Sequence, residues 1–344
     1  MILSISALAV ATVMNGQVTE RQTATLIHGN KTSVFYGMNA FVSAHDAAAD
    51  SADVIILSPG IFNQTTVKKS ISIYGAGMED DAETGGKKTS FNDDFWISPV
   101  EKYNEFGDKY MKHQNGVHIE GIDFSDHDIK VVEGAPIYDL EVVKCGGIYT
   151  MVMSAPSVNT LIRQCRTSWI TGRDKSHENF RVYNCYVNYY LYGMLLTNTV
   201  FVDHCMIGKQ GTTYQPSSIA YYTNNIIYDR IEAQSTAYNN IFAGSSSGIL
   251  TPNTSEGNWF SVPDEGIYAV EGEDGSYSPT KTYEIKYPAR YVGTDGTVVG
   301  LQGGKYPWNI IPSTPRILSS NIDTTTSADG KLKVNITVEA QTKE

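Results

Sequence analysis

Basic residues are scarce in this chain of 344 residues. Lys and Arg number 26 against 37 Asp and Glu, which gives a formal net charge of −11 and an isoelectric point near 5.1. Proteins that bind nucleic acid or acidic membrane surfaces usually carry a basic stripe or patch. The charge balance therefore argues against both of these partners.

The chain also lacks an apolar stretch long enough to cross a bilayer, which takes about 20 helical residues. We therefore predict no membrane span. The apolar run at residues 1–14 is typical of the hydrophobic part of a secretory signal peptide, although no basic segment precedes it. We predict a signal peptide over residues 1–17 and export to the medium or the cell surface. The alternative is a buried N-terminal strand.

Cysteine is rare, but the four cysteines are regularly placed. Cys145, Cys165, Cys185 and Cys205 follow one another at intervals of twenty residues, and Asn225 takes the same place in the next interval. A fixed period of this length is typical of a repeat protein. Apolar residues do not recur at every third and fourth position, so a helical solenoid is excluded.

Apolar and polar residues alternate before each cysteine, as they do in a β-strand with one buried face. The residue two places before the cysteine varies and is expected to point outward. The residue three places before it is apolar in each repeat: Val142, Ile162, Val182, Val202 and Tyr222. This pattern predicts an all-β solenoid whose coils stack as parallel strands about 4.8 Å apart.

The cysteine column has more than one interpretation. A single zinc ion is excluded, because the outermost sulfur atoms would lie about 14 Å apart in such a stack. Disulfides between neighbouring coils stay open, although parallel side chains disfavour the required dihedral angle. We favour buried, reduced thiols that act as small hydrophobic residues. Asn225 and Asn240 share the column, and asparagine there can hydrogen-bond to nearby backbone.

The other segments differ from the repeats. Asn39 is a candidate N-cap for a short helix over residues 40–50, in which Phe41, Ala44 and Ala48 share one face. The motif Asp329-Gly330 indicates a hairpin turn. The predicted order is a signal peptide at 1–17, an N-terminal cap at 18–52, a parallel β-helix at 53–247 with an irregular excursion at 78–114, an irregular segment at 248–314 and a β-hairpin at 315–344.

Two stretches carry a resemblance to a known group. Residues 40–62 read AFVSAHDAAADSADVIILSPGIF and residues 71–77 read ISIYGAG. They resemble the cap and first coil of the pectin-lyase-like right-handed parallel β-helix superfamily. Residues 294–308 are similar to a segment of secreted β-helix proteins of gut Bacteroidetes. The resemblance implies a right-handed β-helix over about residues 40–310 but identifies activity poorly, because the superfamily includes lyases, hydrolases, esterases, adhesins and phage tailspikes.

Motifs for catalysis are sparse. The Gly-His-Gly and Arg-Ile-Lys elements of polygalacturonase-like hydrolases are missing, and Asn92-Asp93-Asp94 falls in the predicted excursion. A lyase needs a base and a cation that neutralises a uronic carboxylate. Arg163, Arg181 and Asp203, on the outward face of adjacent coils, are weak catalytic candidates for this chemistry. A solvated polar face explains them more simply.

The motif Asp126-His127-Asp128 could chelate a cation such as calcium, but a polar turn between coils explains it equally well. We therefore predict no metal site and no cofactor, with calcium as the alternative. The same sequence leaves open whether the protein is an enzyme.

Aromatic residues crowd the coils between residues 165 and 222. We predict that Trp169, Tyr183, Tyr189 and Tyr221 bind ligand, because an apolar ring with a polar tip suits the face of a sugar. Stacking that only stabilises the strands is the alternative. We expect a non-catalytic, exported β-helix protein that binds a polysaccharide or a cell-surface glycan or partner. The alternatives are a polysaccharide lyase or related carbohydrate-active enzyme acting on acidic glycans, and a structural or phage-derived fibre component.

Overall fold

The protein is a parallel β-solenoid of about nine turns, in which 46% of the described residues are strand and 4% helix. The predicted all-β fold class is confirmed. The predicted signal peptide lies outside the described residues. The structure, a computed structural model, describes residues 22–49, 51–81, 86–113, 115–195, 197, 199–209, 218–228, 230–244, 255–322, 330–331 and 334–339.

Two long sheets and one short sheet form the walls of the solenoid. Sheet A consists of β1 (Thr23–His28), β2 (Lys31–Tyr36), β3 (Ser51–Leu57), β5 (Ser70–Tyr74), β10 (His118–Glu120), β13 (Glu141–Val143), β16 (Leu161–Arg163), β19 (Phe180–Tyr183), β22 (Val200–Asp203), β24 (Tyr221–Thr223), β26 (Thr236–Tyr238) and β28 (Ser255–Glu256). Sheet B consists of β4 (Gly60–Phe62), β6 (Thr89–Phe91), β7 (Phe95–Ile97), β11 (Asp123–Val131), β14 (Gly146–Met153), β17 (Arg166–Lys175), β20 (Tyr186–Val187), β21 (Leu191–Met194), β23 (Met206–Ile207), β25 (Ile226–Ile227), β27 (Ile241–Ala243) and β29 (Trp259–Val262).

Smaller elements complete the chain. Sheet C consists of β12 (Ile137–Tyr138), β15 (Ser157–Val158) and β18 (His177–Glu178). Two antiparallel hairpins join β8 (Val100–Tyr103) to β9 (Lys109–Lys112) and β30 (Arg316–Ile322) to β31 (Val334–Glu339). The helices are α1 (Ala40–Ala47) and α2 (Asp264–Ile267).

The twenty-residue period sets the register of sheet A. Val142 pairs with Ile162, which pairs with Val182 in the next coil, and both Val202 and Tyr222 continue the column. All five side chains are buried in the interior of the solenoid. Like residues therefore lie above like, and the core is a set of parallel apolar columns.

The cysteine column lies inside the stack and contains four free, fully buried thiols. The backbone N–H of Cys165 donates to the Sγ of Cys185 at 3.4 Å, and that of Cys185 donates to the Sγ of Cys205 at 3.3 Å. The N–H of Cys205 donates to the Oδ1 of Asn225 at 2.7 Å, and Asn225 bonds to Asn240 in the same way at 2.9 Å. In successive coils, the backbone N–H at this position thus donates either to a sulfur atom or to an amide oxygen of the next coil.

Helix α1 covers one end of the solenoid. The ring of Phe41 packs against those of Phe91 and Phe95, with centroid distances of 5.0 and 6.2 Å. The hairpin β1–β2 extends sheet A beyond this helix. Asn39 occupies the N-cap position, but its side chain makes no capping bond, because its Oδ1 accepts a hydrogen bond from Asn63 instead.

The coils differ from the predicted boundaries at three places. Strands β3 and β5 are consecutive coils of sheet A, whereas the sequence suggested a single first coil. Within the predicted excursion at 78–114, β6 and β7 belong to sheet B, and the hairpin β8–β9 leaves the stack. Beyond residue 247, β28 and β29 add further strands to sheets A and B.

The segment after β29 folds back along the outside of the solenoid as a lateral layer. Four outward side chains of sheet B lie beneath it and are buried: Tyr186, Met206, Ile226 and Ile241. They form a second apolar core with residues of the layer, which include Ile267, Tyr268, Tyr283, Ile285, Tyr291, Val299 and Leu301. The segment predicted to be irregular therefore has few regular elements but a packed interior.

The last part of this layer, residues 291–314, runs down the solenoid from coil to coil, and we call it the strap. It crosses a column of residues that immediately precede the cysteine column and have positive φ: Lys144, Gln164, Asn184, His204, Asn224 and Asn239. Their side chains bond to strap atoms: Lys144 to the carbonyl of Ile311, Gln164 to that of Pro307, Asn184 to those of Leu301 and Gly303, His204 and Asn224 to the hydroxyls of Thr297 and Thr294, and Asn239 to the carbonyl of Val292.

Candidate functional site

The outer face of sheet A carries five of the seven residues singled out from the sequence. Arg163, Tyr183 and Asp203 lie at matching positions on three consecutive strands. Arg181 and Tyr221 lie in the neighbouring outward column, separated by Phe201. The alternation of inward and outward residues along each strand is what places these side chains on one surface.

Among the described residues the two arginines of this face form no ion pair, although both lie close enough to Glu141 that their charges lower the pKa of its carboxyl group. Neither guanidinium lies within 4.0 Å of a carboxylate among the described residues. Arg163 donates to the Oε1 of Gln164 at 3.0 Å, and its Cζ lies 4.8 Å from the ring centroid of Tyr306. Arg181 is partly buried, and its Nε has no hydrogen-bond partner. Two cations on adjacent coils are therefore available to an anion.

Asp203 is occupied by its neighbours. Its Oδ1 accepts hydrogen bonds from the Oγ1 of Thr223 at 2.7 Å and the Nδ2 of Asn224 at 2.9 Å. Its Oδ2 lies 3.0 Å from the Nδ1 of His204. Since Asp203 and Arg163 lie two coils apart, about 10 Å at the usual spacing, the three catalytic candidates do not form one cluster.

Aromatic rings surround the arginine pair. Tyr183 is half-buried and stacks on Tyr306 of the strap at 6.5 Å. Burial raises the pKa of Tyr183, and the Asp203 carboxylate raises it further, which disfavours a phenolate at neutral pH. Tyr221 stacks on Phe201 at 5.3 Å and is 46% exposed. Tyr221 is therefore more exposed to solvent than the other three predicted ligand-binding residues, Trp169, Tyr183 and Tyr189.

Of the other two predicted ligand-binding residues, Trp169 lies on β17 of sheet B and Tyr189 lies between β20 and β21. Trp169 and Tyr189 stack face to face, with centroids 4.4 Å apart and an interplanar angle of 7°. Tyr149, which the sequence reasoning missed, meets Trp169 edge-on at 4.7 Å. One face of Trp169 is thus covered by Tyr189, so this ladder fits the stacking alternative better than Tyr221 does.

A charged cluster that sequence reasoning missed lies lower on sheet A. The Nδ1 of His118 lies 2.9 Å from Glu141 Oε2, and its Nε2 lies 3.1 Å from Glu120 Oε2. Burial lowers the pKa of His118, but the hydrogen bonds to both glutamates outweigh it and raise the net pKa above 6.5. Burial raises the pKa of Glu120, but bonds from His118 and Ser313 outweigh this and lower it to about 2. The spacing His118-x-Glu120 in an alternating strand was the available signal.

One group of possible cation ligands lies on sheet B. Oxygen and nitrogen atoms of Asp93, Asp94 and His127 lie within 4.8 Å of one another. Lys130 already neutralises this group, since its Nζ lies 2.5 Å from Asp94 Oδ2. Asp128 instead lies 3.1 Å from the same ammonium. The motif at residues 126–128 is therefore divided between a strand ion pair and this group.

Comparisons with known protein families, with curated proteins and with solved structures found no match to this chain. Among the described residues, no helix has the length and apolar character needed to cross a bilayer. The arginine pair with its surrounding aromatic rings is the feature of the solenoid surface most suited to a ligand.

Proposed function

We propose that this protein is an exported β-helix protein, similar to the pectin-lyase-like superfamily, that binds an acidic polysaccharide or cell-surface glycan on the outer face of sheet A without cleaving it. The single observation that carries the proposal is the pair Arg163 and Arg181, which forms no ion pair within 4.0 Å among the described residues and lies among aromatic rings. Export is supported by the apolar run at residues 1–14.

The chemistry of the arginine pair favours an anionic ligand. A guanidinium forms paired hydrogen bonds with carboxylate or sulfate groups, and Tyr306 holds that of Arg163 by a cation–π contact. The chain as a whole is acidic, with a net charge of −11, so a polyanion is repelled elsewhere. Two acid groups along a glycan can meet the two arginines, one in each outward column, and Tyr221 offers a ring to a neighbouring sugar.

The lyase alternative has less support. A lyase needs a base near the arginines, and the protonation states of the nearby groups oppose this role. Tyr183 has a raised pKa, two carboxylates raise the pKa of His118 and occupy both of its ring nitrogens, and Asp203 is bonded to Thr223 and Asn224. Binding without turnover is the function that these contacts favour.

Titration calorimetry with oligogalacturonate and with a neutral glucan of equal length tests this proposal. We expect binding of the acidic oligomer only, with affinity that falls as salt rises. Arg163→Ala and Arg181→Ala should each weaken binding about tenfold or more, because each removes a charge-assisted hydrogen bond. Arg290→Ala is the matched control, since Arg290 is exposed in the lateral layer.

Two results would count against the proposal. Equal affinity for the neutral glucan would mean that the arginines do not select the ligand. Unsaturated sugar products, lost in Arg163→Ala but retained in Arg290→Ala, would show that the face belongs to a lyase. The ultraviolet absorbance of the calorimetry samples reports unsaturated products, so binding and cleavage are measured on the same mixtures.

A further inference from the structure

A cavity of about 290 Å³ opens in the lateral layer, and residues 270–273 and 280–282 line it. Its lining contains no strand residue of sheets A, B or C, so it is separate from the arginine face. The wall combines the apolar side chain of Val270 with the hydroxyl groups of Thr280 and Thr282. A mixed wall of this kind is common where small molecules bind.

Glu273 is the unusual residue of the lining. Its side chain belongs to a residue that is only 8% exposed, and its Oε1 accepts a hydrogen bond from the backbone N–H of Tyr283 at 3.1 Å. Its Oε2 is buried and has no hydrogen-bond partner among the residues that the structure describes. A buried carboxylate oxygen without a donor is costly, so a donor supplied by a ligand stabilises the folded protein.

The charges around the cavity determine which donor fits. Lys281 also lines it, but its Nζ already bonds to Asp274 Oδ1 at 2.5 Å and to the carbonyl and hydroxyl oxygens of Ser276 at 2.8 and 2.7 Å. Glu271 and Glu273 are therefore the lining charges that remain to be balanced. Their sign favours a cation, and the lone carboxylate oxygen of Glu273 favours one that carries N–H groups.

We propose that this cavity binds a small primary ammonium compound, whose N–H groups donate to Glu273 and whose carbon atoms contact Val270. The ammonium group can belong to a simple amine or to an amino sugar. A divalent metal ion fits less well, because calcium takes six to eight oxygen ligands and magnesium a near-octahedral set. The site is independent of glycan binding on sheet A.

The test uses the full chain and ligand-observed NMR with four compounds at equal concentration. Butylammonium and glucosamine carry the ammonium, tetramethylammonium carries charge without N–H, and butanol carries a donor without charge. We expect butylammonium or glucosamine to bind, with the better of the two identifying the source of the amine. Tetramethylammonium and butanol should bind at least about tenfold more weakly.

Glu273→Gln should remove most of the binding while preserving the bond to Tyr283, since the amide oxygen can still accept it. Glu265→Gln is the matched control, since Glu265 is exposed on helix α2 and does not line the cavity, and it should leave the affinity unchanged. Circular dichroism establishes that both variants are folded. If Glu273→Gln does not fold, the relative affinities of the four compounds for the natural protein still test whether the cavity selects an ammonium group. Equal binding of butanol, or no binding of either amine, would overturn the proposal, and so would retention of binding in folded Glu273→Gln.

Discussion

At the scale of single residues, the cysteines and asparagines of one column make the same hydrogen bond to the backbone. Each side chain accepts the N–H of the coil before it, either with sulfur, as at Cys205, or with an amide oxygen, as at Asn225. The amide also donates to the carbonyl of Val202 at 2.8 Å, and the thiol of Cys205 lies 3.3 Å from the carbonyl of Val182. The two residue types therefore play the same hydrogen-bonding role in this column.

We predict that Cys205→Asn preserves or raises the free energy of unfolding, because an amide oxygen replaces sulfur as the acceptor for Cys185. Cys205→Val should lower it by about 1 kcal/mol, because the buried N–H of Cys185 loses its acceptor. Urea unfolding of both variants measures the difference. Equal loss in both would indicate that the volume of the side chain, rather than the hydrogen bond, governs this column.

The His118 cluster predicts a stability that depends on pH in two directions. Glu120 has a lowered folded pKa, so its contribution is present above about 4.5 and is lost as pH falls towards about 2. The difference corresponds to on the order of 3 kcal/mol. His118 has a raised folded pKa, so its contribution is full below 6.5 and is lost as pH rises through that folded pKa.

Unfolding in urea across this range should therefore give a maximum between about pH 4.5 and 6.5. In His118→Gln, the free energy of unfolding should no longer fall as the pH rises above 6.5. Its loss in acid should begin at a higher pH, since Glu120 loses its main partner. His127→Gln is the matched control, because His127 lies on sheet B away from both glutamates. If the free energy of unfolding of His118→Gln still declines above pH 6.5 as in the natural protein, another titrating group is responsible.

At the scale of elements, the strap is held by side chains from each coil that it crosses. Asn184 shows how, since its Nδ2 donates to the carbonyls of Leu301 at 3.0 Å and Gly303 at 2.8 Å. Its backbone has φ of +48°, a conformation that asparagine and glycine adopt more readily than other residues. The same residue thus turns the coil and binds the strap.

We predict that Asn184→Ala lowers the free energy of unfolding by about 2 to 4 kcal/mol, from lost hydrogen bonds and backbone strain together. Asn184→Gly removes only the hydrogen bonds, since glycine adopts this φ freely, and should cost less. Chemical denaturation gives the free energies, and limited proteolysis reports cleavage within residues 291–314. Equal costs for the two variants would indicate that strain contributes nothing.

Much of the fold could be predicted because its determinants are local and periodic. The spacing of Cys145 to Cys205 and the alternation before each cysteine were enough for the stack and its register. The strap was hidden, because the residues that hold it, such as Gln164 and Asn184, share a place in the repeat but differ in type. Its own contacts join residues between 53 and 167 positions apart, and no period marks them.

The candidate site was predictable in part for the same reason. Alternation placed Arg163 and Tyr183 on one outward face, as the pairing of their strands bears out. It could not reveal that Tyr306 of the strap covers Arg163, or that Trp169 and Tyr189 cover each other. Those contacts depend on side-chain orientation and on a segment distant in sequence.

At the scale of the whole molecule, the solenoid has ends that need covering. Strand β2 lies at one edge of sheet A, and most of its side chains are exposed. Helix α1 closes the interior beside it, with Phe41 fully buried against Phe91 and Phe95. An uncovered sheet edge can pair with another chain, so the cap protects against self-association as well as against unfolding.

Phe41→Ala should lower the free energy of unfolding by about 3 to 5 kcal/mol, because it leaves a cavity among aromatic rings. Exposure of the coil end should also increase association, which size-exclusion chromatography and light scattering measure. Phe106→Ala is the matched control, since Phe106 is 80% exposed on the loop between β8 and β9. If Phe41→Ala is monomeric and as stable as the natural protein, helix α1 neither stabilises the fold nor limits self-association.

The strap also constrains how such a molecule can change in length during evolution. Most solenoids grow or shrink by gain or loss of a unit, because each unit contacts only its neighbours. Here a duplicated twenty-residue unit would raise all later coils by about 4.8 Å, while an extended chain covers only about 3.3 Å per residue. The duplication would succeed only with a simultaneous insertion of about two residues between Val292 and Ile311. Two rare events must coincide, so the number of coils is expected to stay constant among descendants of this gene.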